Sequence, residues 1–413
     1  MVSAIDLIGI QKCSGCFGCF NACPYDAIEM IISEEGFYIP HVNKDKCANC
    51  GICQRVCPVI SVAPLDRFPK PITYAAWSRN NKIRLTSSSG GIFSELANII
   101  LEHNGVVYGV VWNERFYPVH VRVTKDEKEI LEKMRGSKYV PSYVGDAYKR
   151  VIRDLSEGRK VLFAGTPCQV AALNNFVGCL EKVDKSHLYT VDVVCHGVPS
   201  LIVWRRYFEY ISKKMGGRKI ISVKFRDKSA GWSNLTLRIE FDNGLHYVRS
   251  WLLDWFCWGF LSNYYLNNIC YDCPFSRIPR QGDITLGDFW GVPKELHDER
   301  GVSIVLVNSK KGKELVEKVL RRVVLVPIEF EEATKSNPRI LSGKLKKPKQ
   351  REEIITTARK NGFEAVIKKL MFKRFKRAIF FVIRNPRQAL HFVWKRSLKS
   401  REELCEDSAW GGS

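Results

Sequence analysis

Two matching cysteine runs constrain this chain more than anything else in it. Cys13, Cys16, Cys19 and Cys23 are followed by Pro24, and Cys47, Cys50, Cys53 and Cys57 by Pro58. With this spacing a short polypeptide wraps 4Fe-4S clusters in pairs: three neighbouring thiolates hold one cubane and the fourth crosses to the other. The pairing that follows is Cys13, Cys16 and Cys19 with Cys57, and Cys47, Cys50 and Cys53 with Cys23. A structural zinc site usually needs two CxxC pairs or a Cys/His set, not duplicated runs of this form. A disulfide framework would require an oxidising compartment, whereas no secretory leader or long apolar span opens the chain. Electron transfer is the chemistry such a module serves.

Residues 1–62 are expected to form this two-cluster, ferredoxin-type domain, with a hairpin joining Ile28–Ile32 to Phe37–Val42 through Glu35-Gly36. Residues 63–73, with Pro64, Pro69 and Pro71, read as a linker. At 413 residues the chain must house something larger, and the patterning from 74 to 335 predicts a mixed α/β (α+β) domain. Val106–Val111, Val119–Val123, Lys160–Gly165, Leu188–Val194 and Gly301–Asn308 are strand candidates. Glu127–Met134, Gln169–Phe176, residues 251–270 and Lys310–Val323 read as helical. Residues 220–250 alternate as strands, with a hairpin turn at Asp242-Asn243-Gly244. Residues 341–406 read as a basic helical extension. The stretch 341–400 holds eighteen Lys/Arg against three acidic residues, so most of the chain's net charge of +22 sits there.

Such a field attracts anionic membranes, acidic redox proteins or nucleic acid. Lys373, Arg374, Lys376 and Arg377 before Ala378–Ile383 suit peripheral contact with a membrane face. Packing on a protein partner is the rival, and nucleic acid is not expected as the main role. A cytoplasmic location is expected, with any membrane contact on its cytoplasmic face.

Four motifs lie in the central domain. Thr86–Gly91, with Ser88, Ser89, Gly90 and Gly91, precedes an apolar-periodic helix, and hydroxyls and glycines there serve either an anion cradle or a plain helix cap. Ser137, Lys138 and Tyr139 sit in a second glycine turn, where Lys138 either meets a phosphate or reduced flavin or is simply solvated. Cys168 and Cys195 follow successive strands, at the edge where open α/β sheets place their sites. A Cys195–His196 hydrolase is disfavoured because neighbours in an extended strand face opposite ways. Cys270 and Cys273 form a CxxC, so four thiolates can converge on a third 4Fe-4S cluster, with Cys257 as rival ligand and Cys179 and Cys405 ordinary.

Together Thr86–Gly91, Gly136–Ser142, Gly165–Gln169, Asp192–Ser200, Lys224–Lys228 and Arg280–Gly291 make the chain recognisable over roughly residues 1–300. It resembles the family of coenzyme F420-reducing hydrogenase and dehydrogenase beta subunits, which includes electron-input proteins and the plant 7-hydroxymethyl chlorophyll a reductase. The resemblance implies FAD beside iron-sulfur centres. Ser88, Ser89, Gly90 and Gly91 become the phosphate or flavin cradle, and Ser137, Lys138 and Tyr139 further flavin contacts. Cys168, Cys195, Cys270 and Cys273 become inner cluster ligands, with Thr166, His196 and Arg280 around them. The expected activity is electron passage between a ferredoxin-like or other redox protein and F420 or another small organic acceptor. The alternative is an electron-transfer component of a larger redox complex whose substrate site lies on a partner. No catalytic side chain is assigned. The fused ferredoxin and the basic extension set the chain apart from the simplest members.

Overall fold

The computed structural model describes residues 2–181 and 183–384, with side chains described as far as Phe372. Cys405, the side chains of Lys373, Arg374, Lys376 and Arg377, and those of the Ala378–Ile383 stretch lie outside it.

In the N-terminal module β1 (Ile28–Ile32) and β2 (Tyr38–Val42) pair antiparallel, Ile28 opposite Val42. Each cysteine run winds into a five-residue helix, Gly18–Ala22 and Ile52–Val56, entered through a left-handed residue, Phe17 or Gly51. Cys23 and Cys57 end these helices in extended conformation.

The body is built on an eight-stranded mixed sheet. Its strands are β3 (Ile72–Ser78), β4 (Val106–Trp112), β5 (Pro118–Val123), β6 (Val161–Gly165) and β7 (Leu188–Val193). A separate three-stranded antiparallel sheet follows, made of β8 (Ile220–Asp227), β9 (Thr236–Phe241) and β10 (His246–Ser250). The large sheet then takes β11 (Ile284–Asp288), β12 (Ser303–Val307) and β13 (Val323–Pro327), in the order β13-β3-β12-β11-β7-β6-β4-β5. Strands β11, β7, β6 and β4 run parallel at its centre, and the outer pairs are antiparallel. The C-terminal ends of β6, β7 and β11 therefore share one edge. Helices Pro167–Gly178 and Leu201–Lys214 contribute to one buried cluster, and Ile92–Glu102 and Lys310–Lys318 to another.

Several elements depart from the pattern-based reading. Strand β3 begins inside the expected linker; Ala75 and Ala76 are both fully buried, so it carries no alternation to detect. Strand β11 was hidden by the glycines and aspartates around it. The helix from Lys310 stops at Lys318, and Val323 opens the edge strand β13 instead. Only Trp255–Leu261 is α-helical within 251–270, because Asn263 turns left-handed immediately afterwards. A register shift between Ile220 and Ser222 buries Ile220 and leaves Ile221 55% exposed.

The module and the C-terminal segment are fastened to the body. The Asn21 amide donates to Gly145 O at 2.8 Å, and Asn267 to Cys13 O at 3.1 Å. Arg351, fully buried, grips the hairpin-tip carboxylate of Glu35 with both guanidinium nitrogens, at 2.9 and 2.8 Å. It opens the helix Arg351–Arg384, which breaks at Gly362 (φ 78°). Ile354, Ile355, Phe363, Val366 and Leu370 of this helix are buried in the same core as Leu201–Lys214. Each contributes roughly 1.5–3 kcal/mol as an upper estimate, so this part of the basic segment is integral to the fold. Among the described residues no helix is long and apolar enough to cross a membrane.

Candidate functional site

Two small cavities separate the eight N-terminal cysteines. One is lined by Cys13, Cys16, Cys19 and Cys57, the other by Cys23, Cys47, Cys50 and Cys53. The grouping is the crossed one, because each short helix carries its last cysteine away from its own run. In the first set burial pushes Cys13 up to about 12, with the Cys16 and Cys57 thiols adding to it. Burial, then Cys57, takes Cys16 to about 11. The second set is nearer solvent, Cys50 being exposed. The Ala4 and Ala27 N–H groups point at Cys53 and Cys23 sulfur, both at 3.4 Å.

Four further thiols meet at the carboxyl edge of the large sheet. Cys168 stands in the first turn of Pro167–Gly178, whose cap Thr166 places its hydroxyl 3.2 Å from the Cys168 sulfur. Cys195 follows β7, and Cys270 lies in the short 3-10 helix Asn268–Tyr271. Burial raises the Cys168 thiol well above its ordinary value, and Cys273, Cys16 and Cys195 add to the rise. Burial and Cys273 lift Cys195 to about 11, opposed by Arg339 and Arg280. Cys270 is raised by burial and by Cys195 and Cys273. Cys257 is elsewhere, beside Asp254, Tyr207 and Tyr265. It takes no place in this set. Cys179 is exposed at a helix end.

Cys16 and Cys168 are neighbours across the boundary between module and body. The buried Tyr148 hydroxyl ties their segments together, 2.8 Å from Cys16 O and 3.0 Å from the O of Gln169, the residue after Cys168. Gly18 lets the two helices close, since a Cβ there would stand 3.2 Å from that of Ala172.

A cavity of about 340 Å³ opens beside the inner cysteines, within the range of small-molecule sites. Its wall includes Cys168, Cys195, His196, Ser88, Ser89, Gly91, Ser137, Lys138 and Tyr139. The two predicted flavin stretches touch: Ser137 N–H donates to Ser88 Oγ at 2.6 Å, leaving the Ser88 hydrogen available to a ligand. Helix Ile92–Glu102 starts at this wall with Gly91 as its cap and no side chain covering its first amides. Such an end suits an anion. The Lys138 ammonium reaches the Met134, Arg135 and Gly136 carbonyls at 3.0–3.3 Å, and desolvation pulls its pKa down to about 7.

Two of the predicted cradle residues and one further flavin candidate are engaged elsewhere. The Ser89 hydroxyl is spent on Val302 O at 2.7 Å. Tyr139 is wedged edge-on against Trp251, ring centres 4.7 Å apart. Gly90 is not in the cavity wall, and a Cβ on it would collide with Ala76 O. Its lack of a side chain lets the loop press against β3. Gly90→Ala should therefore destabilise the protein by about 1–3 kcal/mol or more before it acts on any ligand. Denaturant unfolding of the variant tests this, and unchanged stability with lost ligand affinity would restore Gly90 to the cradle.

Two family models that are the two parts of one protein match the body. The model described as coenzyme F420 hydrogenase/dehydrogenase, beta subunit N-term, matches residues 73–149, and its C-terminal counterpart matches 158–333. The chain belongs to this family of beta subunits. A 4Fe-4S dicluster domain model matches residues 12–60, so the family body carries a fused iron-sulfur domain. Over 205 residues the chain is 24% identical to a component of the F(420)H(2) dehydrogenase of Methanosarcina mazei, covering 46% of this chain and 55% of that one. Over 60 residues it is 45% identical to an uncharacterized polyferredoxin-like protein of Methanocaldococcus jannaschii, covering 13% of this chain and 36% of that one. The chain thus spans between a third and somewhat over half the length of these relatives. A chain of the F420-reducing [NiFe] hydrogenase complex from Methanosarcina barkeri aligns with a TM-score of 0.45 at 20% identity, over 68% of this chain and 93% of its own.

Within this body, motif reading missed Arg339 and Gly343. Arg339 donates from Nε to Cys195 O at 3.1 Å. Gly343 accepts the Cys273 N–H at 3.0 Å, and a Cβ on it would collide with Cys273 O. Gly343 itself, between Arg339 and Lys344, is the only local signal either leaves.

Proposed function

We propose that this iron-sulfur protein is a flavin-dependent oxidoreductase passing electrons between a ferredoxin-like donor and coenzyme F420 or another small organic acceptor. One observation carries the reading: a single cavity wall holds Cys168 and Cys195 together with Ser88, Ser137, Lys138 and an uncapped helix N-terminus. Those donors fit a flavin nucleotide, the amides after Gly91 facing phosphate and Lys138 supplying positive charge. FAD, when bound, links one-electron carriers to two-electron hydride exchange. On this reading Cys23, Cys47, Cys50 and Cys53 hold the entry cluster, because Cys50 is exposed and Cys47 and Cys53 are half-buried. Cys13, Cys16, Cys19 and Cys57 hold the next, and the Cys16–Cys168 contact hands electrons to an inner cluster on Cys168, Cys195, Cys270 and Cys273. The name of the Methanosarcina mazei relative, a component of a dehydrogenase, supports a redox protein as the electron-donating or -accepting partner.

Anaerobic purification with iron, sulfide and flavin quantification tests the cofactors, and optical reduction against F420, NADH and reduced ferredoxin tests the substrates. A protein that binds neither FAD nor FMN would defeat the proposal. Lys138 adds a pH signature. Its ammonium is charged below about pH 7 and neutral above, so affinity for a phosphate-bearing flavin should fall several-fold between roughly pH 6 and pH 8. In Lys138→Met the binding curve should be flatter over that range. An identical pH profile in both proteins would remove Lys138 from the binding wall.

A further inference from the structure

The two cysteine runs share one backbone shape, and one of the side-chain differences between them is a single hydroxyl. Gly15 and Asn49 are both left-handed, at φ 64° and 52°, as are Phe17 and Gly51, at 66° and 73°. Cys23 and Cys57 close their helices at φ/ψ of −71°/114° and −72°/115°. By this pseudo-two-fold relation Ser14 corresponds to Ala48. Ser14 lines the cavity of Cys13, Cys16, Cys19 and Cys57 and stands also in the wall of the 340 Å³ cavity. Its Oγ is buried, no oxygen or nitrogen among the described residues accepts from it, and the Cys16 sulfur is the group within its reach. A buried hydroxyl needs an acceptor, and sulfur is the one these four cysteines bring beside it.

The two sets also differ in exposure. Cys13, Cys16 and Cys57 are buried, whereas Cys47 and Cys53 are half-buried and Cys50 is exposed. Reduction adds negative charge to a cluster, which burial disfavours and a hydrogen bond to sulfur favours. We propose that the Ser14 hydroxyl donates to a sulfur of the cluster held by Cys13, Cys16, Cys19 and Cys57 and raises its reduction potential, offsetting its burial. The step it serves is balanced and involves no proton: the exposed cluster gives up one electron and is oxidised, and the buried cluster is reduced by it. The inference rests on these four cysteines being cluster ligands and is independent of the flavin.

The test is a redox titration of the full-length, anaerobically prepared protein, followed by electron paramagnetic resonance, with iron, sulfide and flavin measured on each sample. In Ser14→Ala one N-terminal cluster should shift to lower potential at unchanged iron content. Its ratio of reduced to oxidised form at fixed potential should fall about three- to tenfold, about 30–60 mV at 59 mV per tenfold for one electron. Ser14→Thr should restore it, and Ala48→Ser should raise the other cluster. Unchanged midpoints in Ser14→Ala overturn the proposal. Loss of four irons from Ser14→Ala also overturns it, making the hydroxyl a structural requirement, and so does lost flavin occupancy with unmoved cluster midpoints. A protein with all its iron, the expected shift and no flavin would uphold this inference while defeating the flavin reading.

Discussion

If the inner four cysteines hold a third cluster as proposed, Cys270→Ser combined with Cys273→Ser should yield about eight irons per chain against about twelve in the wild type. The two thiols belong to one set with Cys168 and Cys195, Cys270 buried and the other three half-buried, and a serine hydroxyl is a much poorer ligand to iron than a thiolate. The two N-terminal cysteine sets line separate cavities, so iron held there should survive the change. Flavin should still bind while its reduction by a low-potential donor through the module slows by orders of magnitude, since the relay between Cys16 and the cavity is cut. Iron and sulfide analysis with stopped-flow reduction reads both effects. A wild-type content near eight irons with full flavin and activity would eliminate the inner cluster, and zinc at that position would make the site structural.

Arg280→Met should be the most destabilising single change near the site, by about 3–5 kcal/mol. Arg280 and Asp192 are both fully buried, with Nη2 3.2 Å from Asp192 Oδ1 and 3.1 Å from Val193 O. Asp192 also accepts the Gln281 and Gly282 N–H groups at 3.2 and 3.1 Å. Together these contacts fasten the Cys195 end of β7 to the segment entering β11. Removing the guanidinium leaves a carboxylate buried without its cation. Arg280→Lys keeps the charge but loses the fork, and should recover only part of the loss. Adding Asp192→Asn to Arg280→Met should return more than half of it, because the isolated charge is then gone. Anaerobic urea unfolding measures each step; a loss below about 1 kcal/mol for Arg280→Met would show that the pair is not needed.

The parts legible in the sequence are those whose physics is local. Cysteine spacing makes the two ligand runs plain because each is complete within eleven residues. Turn chemistry and apolar runs gave β4, β6, β7 and the β9–β10 hairpin. Strands β3 and β11 escaped because both are buried beside proline, glycine or aspartate and show no alternation. The inner cysteines were legible as a possible set from two strand-end loops and a CxxC, which left Cys257 a rival that its distant surroundings exclude. Residues acting through long separations were invisible. Arg339 serves Cys195 from 144 positions away, and Arg351 serves Glu35 from 316. Gly90 was noticed for the right property and assigned the wrong neighbour, since nothing local says that Ala76 O lies against it.

The Arg351–Glu35 clamp has a consequence for how the protein is made. The N-terminal module leaves the ribosome 316 residues before the guanidinium that locks its hairpin tip. At about 5–20 residues per second this is roughly 15–60 seconds of translation. During that interval Cys13, Cys16 and Cys57, buried in the finished protein, belong to a module not yet clamped at Glu35. Iron and sulfide delivered during synthesis would therefore enter before the final closure, and the last stretch of the core to be translated would seal them in.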